Sequence, residues 1–274
     1  MSALDRWRDA LEAWAIPQEI LDAAPESPFG FPATPFRSRG QRAAAASDPT
    51  PTTARALEAL PPDGSVLDVG CGGGATSLPL VGRAGVVVGV DAQPDMLEGF
   101  LANARAAGVE ARAVPGRWPD VAGEVGAADV AVAGHVLYNV PDLAPFALAL
   151  AAAAVRVVLE LTERHPLHWM NDLWLRFHGV RRPDGPTPDD AVAALVELGL
   201  GARIERWTAA PGTVGFERRE EALALVRRRL CLDPSRDDEL AEALGARLAR
   251  REGSWSAGST GDRGLATIWF DASS

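Results

Sequence analysis

The chain has 274 residues, 47% of them hydrophobic and 23% charged, with a formal net charge of -10. That length can bury one sizeable core, and the acidic balance disfavours bulk nucleic acid, whose phosphates it would repel unless a strong local basic patch opposed it. All 27 basic residues are Arg, which excludes a lysine Schiff base and the lysine of a phosphate-gripping P-loop, and the two cysteines, Cys71 and Cys231, are too few for a disulfide framework and too isolated for structural zinc.

Taken in chain order, residues 1–60 open with apolar positions at helical spacing, Leu4, Trp7, Leu11 and Trp14, which predict an amphipathic helix. A stretch rich in Pro and Phe follows (Pro25, Pro28, Phe29, Phe31, Pro32, Pro35, Phe36), and then a helix near 50–60. Proline fixes extended geometry, so this segment is expected to be an ordered cap or lid. Phe29, Phe31, Phe36 and Arg37 either close over a ligand or staple the cap to the core.

From Ser65 to Thr162, short β-branched runs alternate with helical stretches, the pattern of a parallel sheet covered on both faces. Strands are predicted at 65–69, 86–91, 110–114, 129–134 and 155–162, with helices at 75–83, 94–107, 120–125 and 142–153. The Ala-rich run from Ala147 to Val158 is too short to span a bilayer and is interrupted by Arg156, so it reads as a helix followed by a buried strand. Residues 163–200 hold three of the four His and are expected to form a substrate-side insertion. A strand at 202–208, two helices within 217–251 broken at Asp233-Pro234, and a last strand at 265–271 complete the chain. Acids and bases are mixed at the N-terminus without the layout of a secretory signal, so a cytoplasmic location is expected, with no membrane partner and a monomer or homodimer as the state.

The chemistry concentrates in Val66-Leu67-Asp68-Val69-Gly70-Cys71-Gly72-Gly73-Gly74-Ala75-Thr76. A glycine turn placed directly after a buried strand lets the backbone bend sharply and lets a ligand approach closer than any Cβ would permit. The second strand ends in Gly89-Val90-Asp91, which sets a carboxylate beside that turn, where it can accept hydrogen bonds from both hydroxyls of a ribose.

Asp-x-Gly-x-Gly-x-Gly, followed by an Asp ending the second strand, resembles the class I S-adenosylmethionine-dependent methyltransferases, in the same order over roughly residues 50–162. The resemblance implies a Rossmann-like α/β fold, a mostly parallel seven-stranded sheet of order 3-2-1-4-5-7-6 with one antiparallel strand. To this are added the N-terminal cap, residues 1–60, and the insertion within a catalytic domain at 61–274. It implies S-adenosylmethionine as cofactor. Asp68, Gly70, Cys71 and Gly72 would take its methionine and ribose end, Asp91 with Ala92 the ribose, and Met96 the adenine. Where many members carry an acid for the adenine amino group, this chain offers Arg117, with Trp118 beside it for stacking or a backbone N–H. Gly134 and His135 resemble the segment beneath the transferred methyl group.

Three functions are weighed. The first is direct, in-line methyl transfer to a small-molecule acceptor; the chain lacks the Asn/Asp-Pro-Pro-Tyr/Phe segment associated with methylation of exocyclic amines in nucleic acids. The second is an NAD(P)-dependent oxidoreductase, since Gly70-x-Gly72-x-x-Ala75 also fits a looser dinucleotide fingerprint. An acid two residues before the first glycine suits a cationic ligand and would repel a pyrophosphate, which favours methyl transfer. The third is an S-adenosylmethionine-binding protein without turnover. No metal site is expected, the pair His168 and Asp172 supplying too few ligands. His135 is the first candidate base, with a pocket-lining histidine as its other reading, and His165 is the second. Tyr138 would either orient an acceptor or pack in the core. On a helix from His168 to His178, Trp169, Leu173 and Phe177 share one stripe, which would turn His168, Asn171, Asp172 and His178 toward the pocket.

Overall fold

Strands buried on both faces are built from near-continuous apolar runs, and Val66–Val69, broken only by Asp68, Val86–Val90, Val130–Ala133 and Val157–Leu159 provide them. In the computed structural model, which describes residues 1–30, 33–210, 215–251 and 253–272, these runs become β1 (Gly64–Val69), β2 (Ala84–Asp91), β4 (Ala128–Gly134) and β5 (Ala154–Thr162), with β3 (Glu110–Pro115) at the edge. Then come β6 (Arg203–Ala209), a hairpin of β7 (Leu248–Arg251) and β8 (Ser254–Ala257), and β9 (Arg263–Asp271). The main sheet has seven strands in the order β3-β2-β1-β4-β5-β9-β6, with β9 antiparallel to both neighbours. This is the expected order, and 265–271 is the antiparallel member.

The N-terminal segment supplies α1 (Ala3–Glu12), α2 (Gln18–Ala23), α3 (Ala33–Ala44) and α4 (Pro51–Leu57). Further on, α5 (Pro94–Ala107) and α6 (Ala122–Val125) follow β2 and β3, and α7 (Leu143–Ala153) precedes β5. Between β5 and β6 lie α8 (Asn171–His178) and α9 (Pro188–Glu197); between β6 and β7 lie α10 (Arg219–Arg229) and α11 (Asp237–Leu244).

Strand alternation sorts the helices onto two faces. Val130, Val132, Val158 and Trp269 pack with Phe100 of α5 and Ala56 of α4 on one face. Ala131, Ala133, Val157, Leu159, Ile268 and Phe270 pack with α1, α7 and α9 on the other. A separate apolar cluster joins α8, α10, α11 and Leu248 of β7, with Ile16, Ile20 and Leu21 against it. Its elements branch from the ends of β5 and β6 and the start of β9. Because β9 is antiparallel, all three points lie at the sheet edge where β1 to β5 terminate.

The N-terminal segment therefore clasps both faces. Ser2 caps α1 in a capping box with Asp5, and Trp7, fully buried, donates its Nε1 proton to the Val140 carbonyl at 2.8 Å. Burying Trp7, Leu11 and Ala3 against α7 and α9 anchors the start of the chain, at about 1.5 to 3 kcal/mol for each large side chain. The chain then crosses the strand ends through α2 and reaches the opposite face as α3. The strap between them is held by Arg229, which donates to the carbonyls of Pro28 and Gly30, and by Arg227, paired with Glu26 at 3.2 Å.

Three expectations are corrected. No α-helix forms over 75–83; the segment runs through turns into a single 3-10 turn at Leu78–Leu80, because Pro79 has no N–H to continue a helix and glycines flank the segment on both sides. Residues 217–251 form the two expected helices but end in β7, which pairs with β8. Within 163–200, α9 packs on the sheet with α1 and α7, so only the stretch before it joins the cap cluster.

Candidate active site

Gly70, Gly72 and Gly74 adopt φ of 68°, 50° and 84°, the left-handed region where a side chain is strained, so the turn after β1 needs this composition. The N–H groups of Gly70 and Cys71 both donate to the Val90 carbonyl, which ties the turn to the end of β2. There Asp91 accepts from the Gly72 N–H at 3.0 Å and from the Gln93 N–H at 2.9 Å. Its carboxylate thus faces the glycine turn.

Asp68 is buried at the end of β1. Its Oδ2 accepts from Ser77 Oγ at 2.5 Å, while Oδ1 is buried without a partner. Burial, together with the nearby Asp91 charge, pushes its carboxyl up to about 7 against the pull of the Ser77 contact. An orphaned buried carboxylate oxygen is costly, and a cationic ligand group would satisfy it. Cys71 is buried beside it, and burial first, then both acids, raise its thiol far above the usual range, so it stays protonated.

Helix α3 lies directly on this turn. A Cβ on Gly73 would meet the Phe36 carbonyl oxygen at 2.2 Å, one on Gly40 would meet the Gly73 oxygen at 1.9 Å, and Phe36 Cδ1 sits 3.4 Å from where a Cβ on Gly72 would be. Asn103 of α5 locks the contact by donating to the carbonyls of Gly73 and Arg37 at 2.8 and 2.9 Å. The N-terminal segment therefore supplies the helix that 75–83 fails to form. Of the four residues weighed as a lid, Phe36 covers the turn, Arg37 packs its alkyl chain near Gly99, Phe29 is exposed, and Phe31 lies outside the described residues.

On the other side, Val136 presses on Gly70, where a Cβ would meet its Cγ2 at 2.4 Å. This contact sets the preceding residue, His135, beside the turn. His135 has φ 62°, a left-handed conformation that costs a side-chain-bearing residue about 1 to 2 kcal/mol, and its N–H donates to the Glu160 carbonyl at 2.8 Å. Its Nε2 lies 3.1 Å from Glu160 Oε1, off the line of a good hydrogen bond, and its Nδ1 has no partner. Glu160 Oε2 accepts from Thr52 Oγ1 at 2.7 Å. Burial works against the Glu160 charge, but His135, Thr52 and the charge of Arg39 outweigh it and hold the carboxyl at about 2. Burial lowers His135 below its ordinary value, with Arg39 and Arg263 adding to the effect against the opposing pull of Glu160. The result is a neutral imidazole beside an ionised carboxylate.

The other predicted residues are placed as follows. Met96 is buried in the first turn of α5, and Ala92 is exposed next to Asp91. Arg117 is exposed, and the Trp118 indole donates to the Phe146 carbonyl at 3.1 Å, leaving only its ring and backbone for a ligand. Gly134 lies against Thr76, whose Oγ1 would be 2.2 Å from an added Cβ. The His165 ring stacks on Trp14 at 3.8 Å with its edge toward Tyr138, and its Nδ1 accepts from the Leu167 N–H at 3.2 Å; burial, then Arg182 and His168, depress it to about 3. The Tyr138 hydroxyl accepts from the Thr162 N–H at 2.7 Å, and burial raises its pKa. Both are thus engaged with the protein itself. His168 reaches Asp184 at 3.1 Å, whereas Asp172 pairs with Arg247. Asn171 and His178 also bond inside the cap, to the carbonyls of Pro183 and Leu230. Glu160, Thr52 and Arg39 were not singled out by sequence; only Glu160, an acid within Val157-Val158-Leu159-Glu160-Leu161, left a signal there.

Residues 66–158 match the family model described as a methyltransferase domain. No curated protein matches the chain significantly. Among solved structures, the YcgJ protein of Bacillus subtilis is 17% identical with a TM-score of 0.51, covering 81% of this chain and 98% of its own. A cyclopropane-fatty-acyl-phospholipid synthase-like protein from Lactobacillus casei is 17% identical with a TM-score of 0.51, covering 92% and 98%. A methyltransferase from Thiobacillus denitrificans, S-adenosylmethionine-dependent and solved with S-adenosylhomocysteine, is 19% identical with a TM-score of 0.50, covering 89% and 100%. At these identities the likeness is one of fold.

Proposed function

We propose, on the premise that residues 66–158 are a methyltransferase domain set in the fold of the class I S-adenosylmethionine-dependent methyltransferases, that this protein methylates a small-molecule hydroxyl with His135 as the base. The observation that carries the reading is the seating of Val136 on Gly70, which brings the His135–Glu160 pair against the glycine turn that Asp91 faces.

The residues suit the cofactor. Asp91 accepts one backbone N–H at each oxygen, from Gly72 of the turn and from Gln93, with lone pairs left for ribose hydroxyls, and the orphaned Asp68 Oδ1 offers an acceptor for an ammonium group. Met96 would border the adenine, with Ala92 beside Asp91 at the ribose. When bound, S-adenosylmethionine supplies a methyl group already activated on a sulfonium, so the protein has to align the acceptor, exclude water and take up one proton.

His135 is suited to the proton. With Nε2 turned to the Glu160 carboxylate, the proton of the neutral ring belongs on Nε2, and the unpartnered Nδ1 keeps its lone pair for the acceptor hydroxyl. Glu160 then stabilises the imidazolium that forms, and Thr52 holds Glu160 in place. His165 and Tyr138 are read as packing groups at the cap, since Nδ1 of His165 and the hydroxyl of Tyr138 are engaged by the backbone. A small acceptor fits a chain of net charge -10 whose cap covers the strand ends. Among the described residues no helix is long and apolar enough to cross a membrane.

Transfer of labelled methyl from S-adenosylmethionine into a small-molecule extract tests the proposal. Label that appears with the wild type and is lost with His135→Asn supports it. Equal incorporation by the two proteins removes His135 from the mechanism, and no incorporation by either removes turnover.

A further inference from the structure

Beside the His135–Glu160 pair, the strand register gathers polar groups on the face that also carries α3 and α4. Thr267 stands opposite Glu160, and Thr52 Oγ1 bridges the two at 2.7 Å to each. Trp207 of β6 donates its Nε1 proton to Thr267 Oγ1 at 3.1 Å. Arg263, four residues before Thr267 on β9, points to the same face because side chains alternate along a strand. From above, Arg39 of α3 shares the helix face of Phe36 and Gly40 that rests on the glycine turn.

Several arginines of this protein are paired with acids: Arg156 with Glu58 and Asp271, Arg206 with Glu163 and Asp189, Arg227 with Glu26 and Asp237. Arg39 and Arg263 differ. Among the described residues neither has a hydrogen bond or an ion pair, and Nε of Arg263 is buried without a partner. Burial lowers both, and the charge of each acts on Glu160 and His135. With His135 neutral, the guanidinium charges of Arg39 and Arg263 outnumber the carboxylate of Glu160 among the charges that act on the proposed base. A chain of net charge -10 repels anions at long range, so such a surplus is useful only to a ligand held in place there. The planar fork of a guanidinium grips a carboxylate in two places, as Arg247 does Asp172 in this chain.

Resting on the methyl-transfer reading above, we infer that the acceptor carries a carboxylate, which Arg39 and Arg263 hold while His135 faces the hydroxyl to be methylated. The two arginines are thus specificity-determining residues.

The test uses the full chain saturated with S-adenosylhomocysteine and titrated with benzoate, then with benzamide, following the fluorescence of Trp207 and its neighbours. Benzoate should bind saturably and about tenfold or more tighter than the uncharged amide, the difference expected for hydrogen bonds to a charged group. Arg263→Gln should weaken benzoate by about tenfold, and Arg39→Gln likewise, with S-adenosylhomocysteine affinity unchanged. Arg263→Lys, which keeps the charge but loses the fork, should recover part of the loss and shows that the site is still folded. Equal binding of benzoate and benzamide, or unchanged benzoate binding in Arg263→Gln, overturns the inference. So does an Arg39→Gln protein that loses S-adenosylhomocysteine instead of benzoate, since Arg39 would then belong to the cofactor. If the wild type fails to bind S-adenosylhomocysteine, the methyl-transfer reading fails and takes this inference with it; if it binds that ligand but not benzoate, only the inference fails.

Discussion

Asp68→Asn tests whether the acid before the glycine turn is a buried, half-satisfied group awaiting a cation. Burial raises its carboxyl from 3.8 to about 7 in the folded chain. For an acid whose folded value lies above its unfolded one, the stabilising contribution is complete below the unfolded value and is lost as pH rises through the folded one. Asp68 should therefore cost stability progressively between about pH 4 and 7. The shift is about three units, or about 4 kcal/mol at pH 8, taken as an upper bound. Asn can still accept from Ser77, so the substitution removes the charge and keeps the local hydrogen bond. Urea denaturation of both proteins from pH 5 to 8 gives the difference curve, in which groups common to the two cancel. His165, depressed to about 3, is one of these; it acts in the opposite sense, losing stability as pH falls below its unfolded value. The variant should gain on the wild type steadily up to about pH 7 and then level off. Parallel profiles would refute the burial argument. A companion measurement is the proton balance on binding S-adenosylhomocysteine at pH 6: the wild type should release a proton as Asp68 ionises against the incoming ammonium, and the variant should not.

Asp91→Ala should weaken S-adenosylhomocysteine by about 1.5 to 3 kcal/mol, as hydrogen bonds to a charged acceptor are lost, and calorimetry showing unchanged affinity would remove the acid from the pocket. His135→Asn should lower turnover by about 10²- to 10⁴-fold while cofactor affinity holds, and a loss confined to affinity would leave His135 a lining residue. Because burial lowers His135, the acid limb of the rate profile should fall below pH 6.5; Glu160→Gln, which removes the group that raises it, should move that limb further down, and an upward move would contradict the pairing. Gly40→Ala should cost about 1 to 3 kcal/mol in urea unfolding, since its Cβ would strike the Gly73 oxygen, and full stability would mean that α3 does not seat on the turn.

The parallel strands were legible because burial on both faces leaves no choice of residue: Val86-Val87-Val88 can be little else once a glycine turn and the Gln93-Pro94 helix start bracket it. The glycine turn was legible for the same reason, as was the Asp91 carboxylate that faces it. The segment 75–83 misled because Leu78, Leu80 and Val81 are apolar at spacings a helix also uses, and Pro79 decides the matter only through the hydrogen bond it cannot make. The β7–β8 hairpin escaped because Leu248-Ala249-Arg250-Arg251 alternates too weakly to separate a strand from the helices before it. The groups around the His135–Glu160 pair were harder still. Arg39 is one arginine in a chain whose 27 basic residues are all Arg, and Thr52 reaches Glu160 across 108 positions of sequence, so only the seating of α3 and α4 reveals either.

The account stands on the ligand that the turn after β1 was built to hold. Calorimetric titration of the full chain with S-adenosylhomocysteine and, separately, with NAD decides it. Saturable binding of S-adenosylhomocysteine with no heat from NAD is the predicted result; binding of NAD with S-adenosylhomocysteine inert would contradict it.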